Sequence, residues 1–325
     1  MTREALAQRI ERFIDGSLQG DAPEPWDDLA ADVHRHQREH APVVAALSED
    51  GGGIPAVPVR LFKDLRVSTV PPGQAPVCFR TSGTTGGGRG EHVMRDTRLY
   101  DRGALGWAQR CVGPLPGRIV AMLEDPVDSP DSSLSHMVGL FGDHRTWHVH
   151  RGTLDPEGVD RALDAAVPVF LACTAFAAAE WVMRRPVIHL PAASTVMVTG
   201  GFKGRVHHLD GESLYAALRV ALPGARIVTE YGMTELSSQL WGTPTTPYRP
   251  PPWMRVVAVD PETGNPRSAG EPGQLQFFDL CNLDSTLGVE TLDQGVVDAE
   301  GAVTLHGRLA GAPVRGCSLT IEEGW

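Results

Sequence analysis

The chain has 325 residues, a formal net charge of −11 at pH 7 and 42% apolar residues. This length predicts two domains or one large α/β unit with a sizeable buried core. The apolar content excludes an intrinsically disordered chain. The excess of acidic residues argues against general binding to nucleic acid or to an anionic membrane.

The sequence shows no pattern for export or membrane insertion. The first residues lack the apolar core of a signal peptide, and the longest uncharged apolar stretch, residues 165–179, is too short to span a bilayer. The five cysteines, at positions 78, 111, 173, 281 and 317, form no CxxC pair. Neither a disulfide framework nor a cysteine-based zinc site is therefore indicated, and we expect a cytoplasmic protein with reduced thiols.

The first three quarters of the chain have the pattern of an α/β domain. A helix is predicted over residues 2–15, followed by a loop-rich region over 20–58. Apolar runs then predict strands over 118–123, 167–173, 195–199 and 226–229, alternating with helices over 156–166 and 210–221. Continuous apolar strands alternating with helices favour a mainly parallel sheet.

The pattern changes after the proline-rich segment 249–253. Strands are predicted over 255–259, 274–279 and 302–305, separated by turn sequences, which favours a small antiparallel β subdomain. We therefore expect one domain over residues 1–250, with an N-terminal helical segment and an α/β core. A second domain, over 251–325, would end at the hinge-like Arg-Gly-Cys-Ser-Leu segment at 315–319.

A loop rich in glycine, serine and threonine follows the apolar run at 77–79. Its candidate anion-binding residues are Thr81, Ser82, Gly83, Thr84, Thr85, Gly86 and Arg89. Glycines let backbone N–H groups approach an anion closely, and the hydroxyls and the guanidinium add donors. The loop lacks the Gly-Lys-Ser/Thr of a P-loop. On composition alone, a plain surface loop explains it equally well.

A second motif, Glu-Tyr-Gly-Met-Thr-Glu at 230–235, follows a predicted strand. Tyr231 is suited to stacking on a base, Thr234 to binding a phosphate and Glu235 to holding Mg²⁺. Taken by itself, the motif is explained better by a Tyr-Gly turn with surface glutamates.

The two motifs together resemble the adenylate-forming superfamily of acyl-CoA synthetases, luciferases and peptide-synthetase adenylation domains. Further segments resemble the LuxE-type acyl-protein synthetase family, at 58–65, 251–264, 270–271, 278–285, 288–297 and 306–323. The resemblance extends from about residue 55 to the C-terminus. It implies an adenylate-forming large domain with mixed and parallel sheets, flanking helices and a small C-terminal β subdomain.

The resemblance also implies a two-step reaction. A carboxylic acid attacks the α-phosphorus of ATP to give acyl-AMP and pyrophosphate, and a cysteine thiol then takes the acyl group. Matching positions place the loop at 82–86 on the phosphates, Tyr231 on adenine, Thr234 on the α-phosphate, Glu235 on Mg²⁺ and Asp293 on ribose. Arg308 matches the arginine near the end of the large domain, and Gly200 and Gly201 match a glycine turn that lines the nucleotide site.

Three departures from the family pattern bear on this assignment. Gly88 and Arg89 replace a proline and a lysine. Arginine keeps the positive charge but carries it on a planar guanidinium instead of the compact ammonium of lysine. Leu292 replaces an acidic residue. The sequence stops eight residues after Cys317, so we expect the mobile C-terminal domain of acyl-CoA synthetases, with its catalytic lysine, to be absent.

Three further residues are candidates for the site. Lys203, one of only two lysines, follows the glycine turn and is a hypothetical replacement cation, with a surface lysine as the alternative. Cys317 is the candidate acyl acceptor, since the acylated cysteine of the resembled family also lies near the C-terminus. The alternative is a small buried residue. His136 matches a position near the acyl pocket, with a structural histidine as the alternative.

These observations predict ATP- and Mg²⁺-dependent activation of a fatty or aryl carboxylic acid, followed by transfer to a protein cysteine. One alternative is an adenylating ligase that passes the acyl group to CoA, an amine or a carrier protein in natural-product biosynthesis. An alternative of another class is a catalytically inactive nucleotide- or metabolite-binding protein. The sequence leaves open the acid, the acceptor protein and whether the chain forms a homodimer.

Overall fold

The computed structural model describes residues 1–48, 53–74, 77–82, 88–200 and 210–309. The helices in these ranges are α1 (Arg3–Gln19), α2 (Trp26–His40), α3 (Pro42–Leu47), α4 (Leu61–Asp64), α5 (Arg98–Val112), α6 (Ser133–Gly139), α7 (Pro156–Leu163), α8 (Ala175–Val182) and α9 (Gly211–Ala221), with a 3₁₀ turn at Leu280–Asn282.

The strands in the same ranges are β1 (Ala56–Pro58), β2 (Val77–Arg80), β3 (Glu91–Met94), β4 (Arg118–Met122), β5 (His144–Trp147), β6 (Val149–His150), β7 (Thr153–Leu154), β8 (Val169–Thr174), β9 (Thr195–Thr199), β10 (Arg226–Tyr231), β11 (Leu240–Thr243), β12 (Thr246–Arg249), β13 (Met254–Val259), β14 (Pro272–Asp279), β15 (Gly288–Val297) and β16 (Val303–Arg308).

The described residues form two compact units. The first unit contains the described parts of 1–110, 233–240 and 249–309. The second unit contains those of 111–232 and 241–248. Among the described residues, no helix combines the length and the apolar character that crossing a bilayer requires.

The second unit contains a parallel sheet in the order β5-β4-β8-β9-β10, as the alternating pattern predicted. All six residues of β8 are buried, which is typical of a parallel strand covered on both faces. In chain order these strands are the second, first, third, fourth and fifth. This is a doubly wound order, in which ligands bind beyond the carboxyl ends of the strands.

The first unit contains the antiparallel sheet β13-β14-β15-β16, as predicted, with β1 added in parallel to β15. The long strand β15 was not predicted, because glycines at 288 and 295 weaken its pattern. Each glycine is required by close packing. A Cβ on Gly288 would lie 2.4 Å from the carbonyl oxygen of Pro55, and one on Gly295 would lie 2.5 Å from that of Thr304.

The prediction of a loop-rich region over 20–58 is wrong, because it contains α2 and α3. Helix α2 buries Leu29, Ala30, Val33 and, unexpectedly for a polar residue, Gln37. The Gln37 amide is fully buried and bonds to backbone, donating to the carbonyl of Asn282 at 2.9 Å and accepting from the N–H of Leu287 at 2.8 Å. A polar residue on the buried face hides the helical period from a hydrophobicity pattern.

Replacing Gln37 with leucine removes both bonds and leaves buried backbone groups unpaired. We expect Gln37→Leu to lower the free energy of unfolding by about 2–4 kcal/mol. Urea denaturation measures this. The exposed Gln8 of α1 supplies the control, since Gln8→Leu is expected to change stability by less than about 0.5 kcal/mol. Equal stability of the two variants would contradict the assignment.

Candidate active site

The glycine-rich loop is closed at its base by backbone contacts between Thr81 and Gly90. The N–H of Thr81 donates to the carbonyl of Gly90 at 2.9 Å, and the N–H of Gly90 donates to Thr81 Oγ1 at 2.8 Å. A Cβ on Gly90 would lie 3.2 Å from Thr81 Cγ2, so the closure favours glycine here. The loop thus connects β2 to β3 at one end of the hairpin. Gly83, Thr84, Thr85 and Gly86 lie outside the described residues.

Arg89 lies at the base of the loop. Its Nε donates to the carbonyl of Thr81 at 2.6 Å, and one terminal nitrogen donates to the carbonyl of Arg80 at 3.3 Å. These bonds hold the guanidinium against the hairpin backbone. The positive charge is therefore placed at the base of the loop.

The turn that carries Thr234 and Glu235 has no regular secondary structure, and buried side chains bind its backbone. The carbonyl of Thr234 lies 2.7 Å from His92 Nδ1, and the carbonyl of Glu235 accepts from Asn282 Nδ2 at 3.0 Å. The N–H of Ser237 donates to Asn282 Oδ1 at 2.9 Å. The Glu235 side chain is 1% exposed.

His92 joins this turn to the hairpin of the loop. It lies in β3, two residues after Gly90 and opposite Phe79 in the strand register. A carbonyl oxygen only accepts hydrogen bonds, so Nδ1 carries the proton and Nε2 accepts from Ser285 Oγ at 3.0 Å. Burial lowers the pKa of His92 to about 4, and the ring is neutral at pH 7. One side chain thereby connects two motifs that are far apart in the sequence.

Asp279, which ends β14, supports the same turn. Its carboxyl group accepts from the N–H of Ser237 at 3.2 Å and from Ser238 Oγ at 2.9 Å. It also accepts from the N–H of Cys281 at 2.9 Å. Burial raises the pKa of Asp279 to about 6. Sequence reasoning singled out the segment 278–285 for its resemblance but assigned no role to Asp279 or Asn282.

Asp293 and Arg308 are brought together by the β15–β16 pairing. They are directly opposite in the register, and Arg308 Nε lies 3.1 Å from Asp293 Oδ1. Both side chains are about nine-tenths buried, at 11% and 10% exposure. The arginine therefore orients and stabilises the carboxylate that the resemblance assigns to ribose.

In the second unit, Gly200 and Tyr231 lie at the carboxyl ends of neighbouring parallel strands. Gly200 follows β9 with a φ of +83°, a value that favours glycine. Tyr231 ends β10, and its ring centroid lies 6.0 Å from that of Tyr248. These are the positions beyond which α/β sheets bind ligands. Gly201 and Lys203 lie outside the described residues.

Glu230 is a buried carboxyl group at the same sheet edge that sequence reasoning missed. It is 4% exposed, and its Oε2 accepts a hydrogen bond from Thr199 Oγ1 across the β9–β10 pair. Burial raises its pKa to about 7. The residue stood in the second motif, but a hydrophobicity pattern assigns a glutamate there to the surface.

His136 lies in α6, whose N-terminus is capped by Ser132 Oγ, which accepts from the N–H of Ser135 at 3.1 Å. The helix follows the carboxyl end of β4, the first strand of the doubly wound order. Since β4 pairs with both β5 and β8, this is the point at which the strand order reverses. A substrate contact of the half-buried His136 remains a prediction.

The described cysteines differ in their suitability as nucleophiles. Burial raises the pKa of Cys173 to about 12 and that of Cys281 well above its usual value. Because the thiolate is the reactive form, neither is suited to attack at neutral pH. Cys78 and Cys111 are half-buried. Cys317 lies outside the described residues, and its acceptor role remains a prediction.

Comparisons with known proteins give a fold but no family. No protein-family model and no curated protein matches the chain. Among solved structures, ATP-bound MatB from Rhodopseudomonas palustris matches with a TM-score of 0.53 and 15% identity, over 73% of this chain and 49% of that one. The amide bond synthetase McbA from Marinactinospora thermotolerans matches with a TM-score of 0.54 and 18% identity, over 75% and 50%.

A third match is the long-chain-fatty-acid-CoA ligase FadD1 from Archaeoglobus fulgidus, with a TM-score of 0.54 and 16% identity, over 74% of this chain and 52% of that one. The chain therefore spans about half the length of the structures it matches. At these identities the likeness concerns the fold. The predicted α/β fold of the adenylate-forming enzymes is confirmed.

The raised pKa of Glu230 predicts a specific pH dependence of stability. Between its ordinary pKa of 4.5 and its folded pKa of about 7, the folded protein retains a proton that the unfolded chain releases. Wild-type stability therefore falls as pH rises through this range, whereas Glu230→Gln lacks this loss. Urea denaturation measures the free energy of unfolding of both proteins from pH 4.5 to 8. Over this range, the value for wild type is expected to fall by about 3 kcal/mol relative to that for Glu230→Gln.

Glu212, exposed in the first turn of α9, provides the matched control. Glu212→Gln is expected to show no comparable shift over the same pH range. A difference between Glu230→Gln and wild type that does not vary with pH would show that the pKa of this carboxyl group is not raised in the folded protein.

Proposed function

We propose that this chain is an ATP-dependent ligase that activates a carboxylic acid as acyl-AMP and releases pyrophosphate. The observation that carries the proposal is the 2.7 Å contact between His92 and the carbonyl of Thr234. It ties the hairpin of the glycine-rich loop to the Thr-Glu turn. Two motifs that the resemblance assigns to one nucleotide are therefore held by one side chain within the first unit.

The residues of this unit suit the chemistry. A carboxylate is a poor electrophile, and the enzyme must align its oxygen with the α-phosphorus while neutralising charge on the phosphates. We assign the phosphates to the loop over 82–86, with Arg89 at its base and Thr234 at the α-phosphate. Asp293, held by Arg308, would accept hydrogen bonds from the ribose hydroxyls.

Glu235 would hold Mg²⁺. Among the described residues, no group of three or more His, Cys, Asp or Glu side chains is arranged to bind a metal. The single carboxylate of Glu235 suits Mg²⁺, because this ion typically takes one or two carboxylates and completes its shell with water and substrate phosphates. When bound, the ion would neutralise charge on the phosphates.

The names of the matched solved structures support this proposal. MatB was solved with ATP bound, McbA is an amide bond synthetase and FadD1 is a CoA ligase. The ligase names fit activation of a carboxyl group, with different acceptors. We therefore retain the adenylating ligase that serves CoA, an amine or a carrier protein as the second candidate for the acyl-transfer step.

Asp293→Asn tests the nucleotide assignment. Loss of a carboxylate that accepts from the ribose hydroxyls is expected to raise the KM for ATP by about 10- to 100-fold, with a smaller effect on the KM for the acid. The measurement is pyrophosphate release with Mg-ATP and a panel of fatty and aryl acids. Glu300→Gln, at the exposed turn of the same β15–β16 hairpin, is the control. Equal KM values for ATP in both variants would contradict the assignment.

For the acceptor, we propose that the thiolate of Cys317 attacks the acyl carbonyl carbon, the bond to AMP breaks, and AMP leaves with the electron pair. Intact-protein mass spectrometry after incubation with Mg-ATP and acid is expected to show a gain of one acyl group. Hydroxylamine removes it, Cys317→Ser abolishes it and Cys111→Ser retains it. Pyrophosphate release without any mass gain would instead assign the acceptor to CoA, an amine or a carrier protein.

A further inference from the structure

We propose that His92 is a positioning residue, which fixes the Thr234–Glu235 turn against the β2–β3 hairpin by donating from Nδ1 to the carbonyl of Thr234. The inference rests on the proposed function, because it concerns the placement of two residues assigned to ATP. It adds to that function a residue that touches neither nucleotide nor acid.

The turn depends on side chains for its geometry. Residues 232–239 belong to no helix or strand, and a backbone hydrogen bond within them joins the N–H of Leu236 to the carbonyl of Met233 at 3.1 Å. Three buried side chains bind other groups of the turn, His92 at 1%, Asp279 at 0% and Asn282 at 1% exposure. His92 binds the carbonyl of Thr234, Asn282 binds that of Glu235, and Asp279 and Asn282 share the N–H of Ser237, so the turn is held at several points.

His92 is the member of this set that links the turn to the β2–β3 hairpin. Asp279 ends β14, and Asn282 lies in the 3₁₀ turn that follows it. His92 alone of the three lies in the β2–β3 hairpin, and Phe62 packs edge-on against its ring at 6.5 Å. Without its donor, the carbonyl of the half-buried Thr234 would lack this partner, and the turn would be free to shift relative to the hairpin.

A small shift at this place has a large effect on rate. The hydroxyl of Thr234 and the carboxylate of Glu235 are carried by adjacent residues, directly beside the carbonyl that His92 binds. Misplacement of aligned groups by about 1 Å can reduce a rate by about 100-fold. Since Thr234 and Glu235 are assigned to the reacting phosphate and its metal, the loss is expected in kcat more than in the KM for ATP.

The two nitrogens of His92 can be tested separately. His92→Phe keeps a ring but removes both hydrogen bonds of the side chain, whereas Ser285→Ala removes only the partner of Nε2 and leaves the donor to Thr234 in place. The amide variants His92→Asn and His92→Gln form the matched pair, because each is designed to keep one of the two bonds. A purely structural role predicts similar effects from these two, and the positioning role predicts that they differ.

The experiment compares these variants with His92→Asn, whose amide can occupy the place of the Nδ1–H donor, and His92→Gln, whose amide reaches toward the Nε2 side. Acid-dependent pyrophosphate release gives kcat and the KM for ATP. We expect His92→Phe and His92→Gln to lose about 10- to 100-fold in kcat with less than about 3-fold change in KM. Ser285→Ala and His92→Asn are expected to stay within about 5-fold of wild type.

Hydrogen exchange of the 233–240 segment, followed by mass spectrometry, gives a readout that needs no activity. Faster exchange is expected in His92→Phe and His92→Gln but not in Ser285→Ala or His92→Asn. If His92→Phe does not fold, the Asn and Gln variants decide between the two roles. Equal kcat or equal exchange across the four variants overturns the inference. Absence of pyrophosphate release by wild type with every acid overturns the proposed function, while exchange still decides whether His92 holds the turn.

Discussion

The hydrogen bond between His92 and the carbonyl of Thr234 joins segments that lie 142 positions apart in the chain. Thr234 is half-buried and lies outside regular secondary structure, and the His92 side chain supplies a donor to its carbonyl. The side chains of Asp279 and Asn282 meet the same need at the next residues of the turn. The site described here thus depends on satisfying buried backbone groups, and the functional side chains project from a backbone fixed in this way.

Burial shifts the pKa values of several titratable side chains described above. The ring of His92 is neutral because burial lowers its pKa, and the carboxyl groups of Asp279 and Glu230 have raised pKa values for the same reason. Asp293 differs from these groups in having a buried cationic partner, since Arg308 Nε lies 3.1 Å from its carboxylate.

The parallel strands of the second unit could be predicted because a strand buried on both faces consists of a continuous run of apolar residues, as at residues 169–174. Helix α2 and strand β15 could not be predicted in this way. A buried glutamine interrupts the apolar face of α2, and two tightly packed glycines interrupt the apolar pattern of β15. The loop and the Thr-Glu turn were noticed through their local composition, and their roles were assigned through their joint resemblance to a known superfamily. His92 carries no such signal, because its partners are distant in sequence and only the fold brings them together.

Carboxylate activation is tested most directly by exchange of labelled pyrophosphate into ATP by the full chain, with Mg²⁺ and a panel of fatty and aryl acids. Exchange requires reversible formation of acyl-AMP and needs no acyl acceptor. We expect exchange that depends on the acid and is weakened in Asp293→Asn. ATP binding without exchange for any acid would contradict carboxylate activation and would favour a nucleotide-binding protein that does not activate carboxylates.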